Sequence, residues 1–190
     1  RGEDGVDPKN PMPHATPPPS ETGNLSEKHV IVMVGLPARG KTHMARRLAR
    51  YLSFVHGAEI QVFNVGHYRR MIVGTKVPPD FFDPSNARNL ESRNHCAEMA
   101  MREMKTFLFQ DRHQQALLGN PYTDPGLKGV DSGLVGIFDA TNTTKARRKW
   151  IVEQLRGLPV KLIFIESICT DQEVIDRNIW QAKVKTPDFD

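Results

Sequence analysis

Apolar positions come in short blocks from His29 onward, and the spacing inside the blocks alternates between two kinds. "HVIVMVGL" (29–36) is a continuous valine-rich run, the pattern of a parallel strand covered on both faces. Over residues 41–56, Met44, Leu48, Leu52 and Val55 recur at helical spacing with Arg46, Arg47 and Arg50 opposite, which predicts an amphipathic helix. "EIQVFNV" (59–65) predicts a second strand. Residues 86–109 place Leu90, Ala97, Met101, Met104 and Leu108 at helical spacing. "GLVGIFDA" (133–140) predicts a third strand, "KARRKWIVEQL" (145–155) a helix, "VKLIFIES" (160–167) a fourth strand and "DQEVIDRNIWQAK" (171–183) a last helix. Strands alternating with helices predict βαβ units, hence an α/β fold with a three-layer parallel sheet.

Two segments fall outside this rhythm. Residues 1–28 hold six of the 14 prolines and few large apolar side chains, so burial cannot offset the entropy of ordering them, and a disordered tail is expected. Gln110 to Gly133, with Gly119, Pro121, Pro125, Gly126 and Gly129, is expected to be a long surface insertion in a domain running from 29 to 190. Net charge is +4, which suits a phosphorylated partner. Cys96 and Cys169 are the only cysteines and lack metal-ligand spacing, arguing for a reducing, cytoplasmic setting. No apolar run approaches the roughly 18 residues of a membrane span, so no membrane partner is expected.

The first strand stops in "GLPARGKT", which fits G-x-x-x-x-G-K-[ST] at Gly35, Gly40, Lys41 and Thr42. The intervening Leu36, Pro37, Ala38 and Arg39 complete a loop whose amides can approach phosphate oxygens closely, ahead of a helix N-terminus. Lys41 can neutralise β- and γ-phosphate oxygens, and the Thr42 hydroxyl can ligate Mg²⁺. Such a loop calls for a carboxylate on a nearby strand, and "VGIFDATNTT" offers Asp139 at a strand's C-terminal end, as a second metal ligand or to orient an acceptor hydroxyl. Asn142, Thr141 and Thr143 can donate to a phosphate or sugar. Arg69 and Arg70 in "FNVGHYRR" can grip a phosphomonoester with paired donors.

Taken in order, "VMVGLPARGKT", "VFNVGHYRR", "FDATNTT", "FIESIC" and "NIWQAK…TPDF" resemble the kinase domain of the 6-phosphofructo-2-kinase/fructose-2,6-bisphosphatase family. The resemblance implies a P-loop nucleoside-triphosphate kinase fold and ATP-dependent phosphorylation of fructose 6-phosphate at its 2-hydroxyl. It implies ATP contacts along Gly35–Thr42 and at Asn178, Gln181 and Lys183, a catalytic role for Lys41, Asp139, Cys169 and Lys183, and sugar-phosphate contacts from Arg69, Arg93, Thr141 and Arg147. It further implies a homodimer for the full-length protein and more sugar-phosphate ligands beyond Asp190. Chemistry alone makes Cys169 a small packed thiol. His67 and Trp180 stand where the family carries Gln and Arg, and the "RHG" histidine motif of the bisphosphatase half does not occur in these 190 residues. Two other readings remain open: an ATP-binding module without turnover, and a polynucleotide 5′-kinase. No aromatic-rich basic stretch supports the latter, and no nucleic-acid partner is expected.

Overall fold

The computed structural model describes residues 28–75, 77, 79–82, 86–110 and 133–181. The Pro-rich tail and most of the 110–133 insertion lie outside them. Strand β1 (Lys28–Val34) leads through helix α1 (Lys41–His56) to β2 (Glu59–Asn64). Helix α2 (Val65–Ile72), a 3-10 turn (Pro79–Phe82) and helix α3 (Ala87–Phe109) follow. Then come β3 (Leu134–Asp139), α4 (Lys145–Leu155), β4 (Val160–Glu166) and α5 (Gln172–Ile179).

All strand pairs are parallel and the order is β2-β3-β1-β4. Alternation along the strands divides the core in two. Val30, Val32 and Val34 of β1, Phe63 of β2 and Leu134 and Phe138 of β3 face α2, α3 and α4, where Ala97, Met101, Met104 and Ile151 meet them. Ile31, Met33, Val135 and Ile137 face α1 through Ala45, Leu48 and Leu52. Helices on both faces of a parallel sheet make the three-layer α/β architecture expected from the pattern.

The register aligns the carboxyl ends of the strands. Asp139 pairs with Met33 on one side and with Asn64 on the other. The connection after β1 runs to β2, beyond β3, and the one after β3 runs to β4, beyond β1. The chain thus leaves these two neighbouring strands in opposite directions, and the crevice above such a switch point is where open α/β sheets bind ligands.

Three details differ from the sequence pattern. Met44 and Val55 are exposed, because α1 turns Lys41, Ala45, Leu48, Ala49 and Leu52 to the sheet, a stripe that starts at the phosphate loop. Leu90 is also exposed, since the packed stripe of α3 begins only at Cys96. The second strand stops at Asn64, one residue short of the apolar run, and the chain turns directly into α2, a helix too short for its periodicity to stand out.

Candidate functional site

The loop between β1 and α1 is held by three later segments of the chain. The Gly35 N–H donates to the Thr141 carbonyl at 2.9 Å, and the Ser167 N–H donates to the Val34 carbonyl at 2.8 Å. The Ser167 hydroxyl donates to the Arg39 carbonyl. From α5, Asn178 Nδ2 donates to the Ala38 carbonyl at 3.0 Å. Gly35 adopts φ +139°, and a Cβ there would stand 2.5 Å from the Ser167 carbonyl oxygen, so only glycine fits.

Helix α1 opens above this loop with an N-terminus unlike its companions. Helices α2, α3, α4 and α5 are each capped by a side chain, from Asn64, Asn86, Thr144 and Asp171. The α1 cap is Gly40, at φ +79°, and no side chain accepts from the helix's first amides. Those amides and the positive end of the helix dipole suit an anion. Lys41 is buried, and its Nζ curls back to the Leu36 carbonyl at 2.5 Å, which keeps the ammonium over the loop. The donor set fits nucleotide phosphates.

Asp139 ends β3 and is 2% exposed. Its Oδ2 accepts from the Thr42 hydroxyl at 2.6 Å and from Asn64 Nδ2 at 2.5 Å. A hydroxyl and a carboxylate this close form a hard-oxygen pair of the kind Mg²⁺ takes alongside substrate phosphates. The fit to that ion rests on this contact.

The arginines gather on the α3 side of the sheet. Arg69 is buried, with its guanidinium 5.9 Å from the Phe82 ring. Arg93 Nη1 donates to the Phe82 carbonyl at 3.1 Å, so both meet the same turn. Arg147 Nη2 donates to Asn94 Oδ1 at 2.6 Å, and its guanidinium lies 5.1 Å from the Trp150 ring. Burial lowers the Arg147 pKa from its ordinary value; Glu98 opposes the shift and the Arg93 charge adds to it. Burial likewise raises the Cys96 thiol pKa, and the Arg69 charge opposes that. Arg69, Arg93 and Arg147 therefore share one positive neighbourhood, and such clustering suits a phosphomonoester. Arg70 parts from Arg69: one of its terminal nitrogens lies beside Gly66, 3.7 Å from where a Cβ would sit.

The remaining expected residues are placed less directly. Thr141 and Gln181 are exposed, and the Thr141 contact to the loop runs through its backbone. Asn178 spends an amide hydrogen on the loop carbonyl. Cys169 is half-buried three residues past β4, with its sulfur 3.9 Å from the Asp171 carbonyl oxygen. Asn142 is a correction. It is buried, and its side chain donates to the Met33 carbonyl at 2.9 Å, bracing β1 rather than facing a ligand. Lys183 lies outside the described residues.

Three side chains that the motifs did not single out also matter. Asn64 joins Asp139, Ser167 anchors the loop, and Tyr68 Oη donates to Glu103 at 2.6 Å, tying α2 to α3. For Asn64 the available signal was a carboxamide at a strand end, directly before "VGHYRR", where a helix cap is expected. Among the described residues no helix is long and apolar enough to cross a membrane.

Residues 19–118 and 129–190 match the family model described as 6-phosphofructo-2-kinase. Over 160 residues the chain is 41% identical to the human protein 6-phosphofructo-2-kinase/fructose-2,6-bisphosphatase 4, covering 84% of this chain and 30% of that one. It is 39% identical to the human form 3 (84% and 27%) and 38% identical to the Aquarana catesbeiana protein of that family (84% and 30%). The chain thus spans under a third of the length of these relatives. A solved structure of the Mycobacterium tuberculosis APS kinase CysC covers 83% of this chain and 96% of its own at a TM-score of 0.46 and 11% identity, too loose to add to the strand order. With the family model spanning most of the sequence, the chain belongs to the 6-phosphofructo-2-kinase family.

Proposed function

We propose that the chain carries the kinase site of an ATP-dependent 6-phosphofructo-2-kinase. The γ-phosphoryl of ATP moves to the 2-hydroxyl of fructose 6-phosphate, giving fructose 2,6-bisphosphate and ADP. The bond from the γ-phosphorus to its bridging oxygen breaks and a bond to O2 forms. The hydroxyl proton leaves toward Asp139. The observation that carries this reading is the 2.6 Å contact of Thr42 with Asp139, which joins the phosphate loop to a carboxylate 97 residues away.

Each group has a part in positioning or in charge. The α1 amides and Lys41 hold the terminal phosphates. Thr42 and Asp139 are the residues that would hold Mg²⁺, which when bound neutralises phosphate oxygens and polarises the transferring group. Asp139 also orients the acceptor hydroxyl. Arg69, Arg93 and Arg147 anchor the 6-phosphate, with Thr141 at the sugar and Arg70 beside the acceptor. Asn178, Gln181 and Lys183 serve the nucleotide, and Cys169 lines the site. The setting is cytoplasmic and the full-length protein a homodimer.

The test is direct. The full gene product, given Mg-ATP and fructose 6-phosphate, is expected to form fructose 2,6-bisphosphate, and a Lys41→Met control to form at least 100-fold less per unit time, the scale of losing one charge donor at a transition state. No product above the control would remove the reading.

A further inference from the structure

Asn64 is the last residue of β2 and the first stop of the chain before α2. In the parallel register it stands directly beside Asp139. Its carboxamide has two partners of opposite kind. The His67 backbone N–H, which can only donate, meets Oδ1 at 2.9 Å. That fixes the amide's orientation and leaves Nδ2 to the carboxylate, where it donates to Asp139 Oδ2 at 2.5 Å. Nδ2 also stands 3.4 Å from Thr42 Oγ1.

Two neutral donors, Asn64 and Thr42, thus share one oxygen of Asp139. Rotation about the last side-chain bond would otherwise exchange the two oxygens freely. With Oδ2 held, the orientation of Oδ1 is set. Among the described residues no hydrogen bond reaches Oδ1, which is therefore the oxygen left for an acceptor hydroxyl. The same side chain caps the helix that carries Arg69 and Arg70.

Resting on the proposed kinase reaction, we infer that Asn64 is a positioning residue that orients the Asp139 carboxylate and couples it to helix α2. A displacement of α2 relative to β3 pulls on one carboxamide, so the sugar-phosphate arginines and the carboxylate stay in step.

Capping and carboxylate positioning separate experimentally, because Asn, Asp and Ser are about equally good helix caps. Asn64→Ser keeps the acceptor for the His67 N–H but is too short to reach Asp139. Asn64→Asp keeps the cap and sets a second carboxylate against the first, which is repulsive. In the full gene product Asn64→Ser, an equal cap that gives up only the bond to Asp139, is expected to melt within several degrees of wild type, and Asn64→Asp lower still because of the added repulsion. Turnover is expected to fall about tenfold in Asn64→Ser and further in Asn64→Asp, the scale of one positioning hydrogen bond, with the Mg-ATP KM rising no more than the Mg²⁺ gain is lost.

Calorimetry supplies a readout independent of the acceptor: the gain in ATP affinity on adding Mg²⁺ should shrink severalfold in Asn64→Ser, with metal-free ATP binding unchanged. Wild-type turnover in both variants, with an unaltered Mg²⁺ gain, would overturn the inference. A wild-type protein that makes no fructose 2,6-bisphosphate sinks the kinase reading instead, and the Mg²⁺ gain in Asn64→Ser then decides the role of Asn64 alone.

Discussion

Asp139 and Thr42 are separated by 97 residues and meet at 2.6 Å. Each was visible in the sequence as a motif residue, and the alignment of strand ends explains why they meet. Replacing Asp139 by Asn keeps the shape and removes the charge. Turnover should then fall by about 10²–10⁴, the range for losing a positioned proton acceptor, while ATP binding without metal persists. Arg147 makes a different kind of contribution. Its fork is held by Asn94 and by the Trp150 ring, so Arg147→Lys, which keeps charge and loses the planar fork, should raise the fructose 6-phosphate KM about tenfold with a smaller change in kcat. Steady-state kinetics with varied sugar phosphate would show it. Asn64 and Ser167 were not legible in the same way, and for Asn178 the resemblance implies an ATP contact rather than its hold on the Ala38 carbonyl. Their work depends on contacts across 75, 128 and 140 residues, and a single sequence gives a side chain's type, not its partner.

At the scale of elements, every predicted strand and long helix exists, because continuous valine-rich runs and helical repeats of ten or more residues are strong signals. Helix α2 was hidden. Its eight residues make barely two turns, too short for the Val65, Tyr68 and Ile72 stripe to stand out, and its stability comes from packing of Val65 and Tyr68, the Asn64 cap and the Tyr68–Glu103 bond. Burial and the Glu103 carboxylate both raise the Tyr68 pKa above its ordinary value near 10. The folded chain then holds this proton more tightly than the unfolded one. Stability is fully present below about pH 10 and declines as pH rises beyond it. Tyr68→Phe should cost about 1 kcal/mol at neutral pH and make that alkaline decline shallower, as urea unfolding at pH 8 and pH 10.5 would show. Where α3 meets the sheet, a Cβ at Gly136 of β3 would stand 2.7 Å from Met104 Cγ. Gly136→Val should therefore cost about 1–3 kcal/mol through overpacking.

Across the whole molecule, the sheet delivers the ends of β1, β2 and β3 to one level and the helices bring the arginines to the adjoining face. Ligand binding should then be felt globally. Mg-ATP at about 100 times its Kd should stabilise the fold by about 2.7 kcal/mol, a melting shift of about 5–10 °C for a chain of this size, and Lys41→Met should remove most of it. The most direct measurement is a single-turnover transfer of γ-labelled phosphate from Mg-ATP to fructose 6-phosphate by the full gene product, wild type beside Asp139→Asn. The account predicts label on the sugar's O2 with wild type and a loss of at least 100-fold in the variant, on the scale of a removed proton acceptor. Equal transfer by both proteins would contradict it.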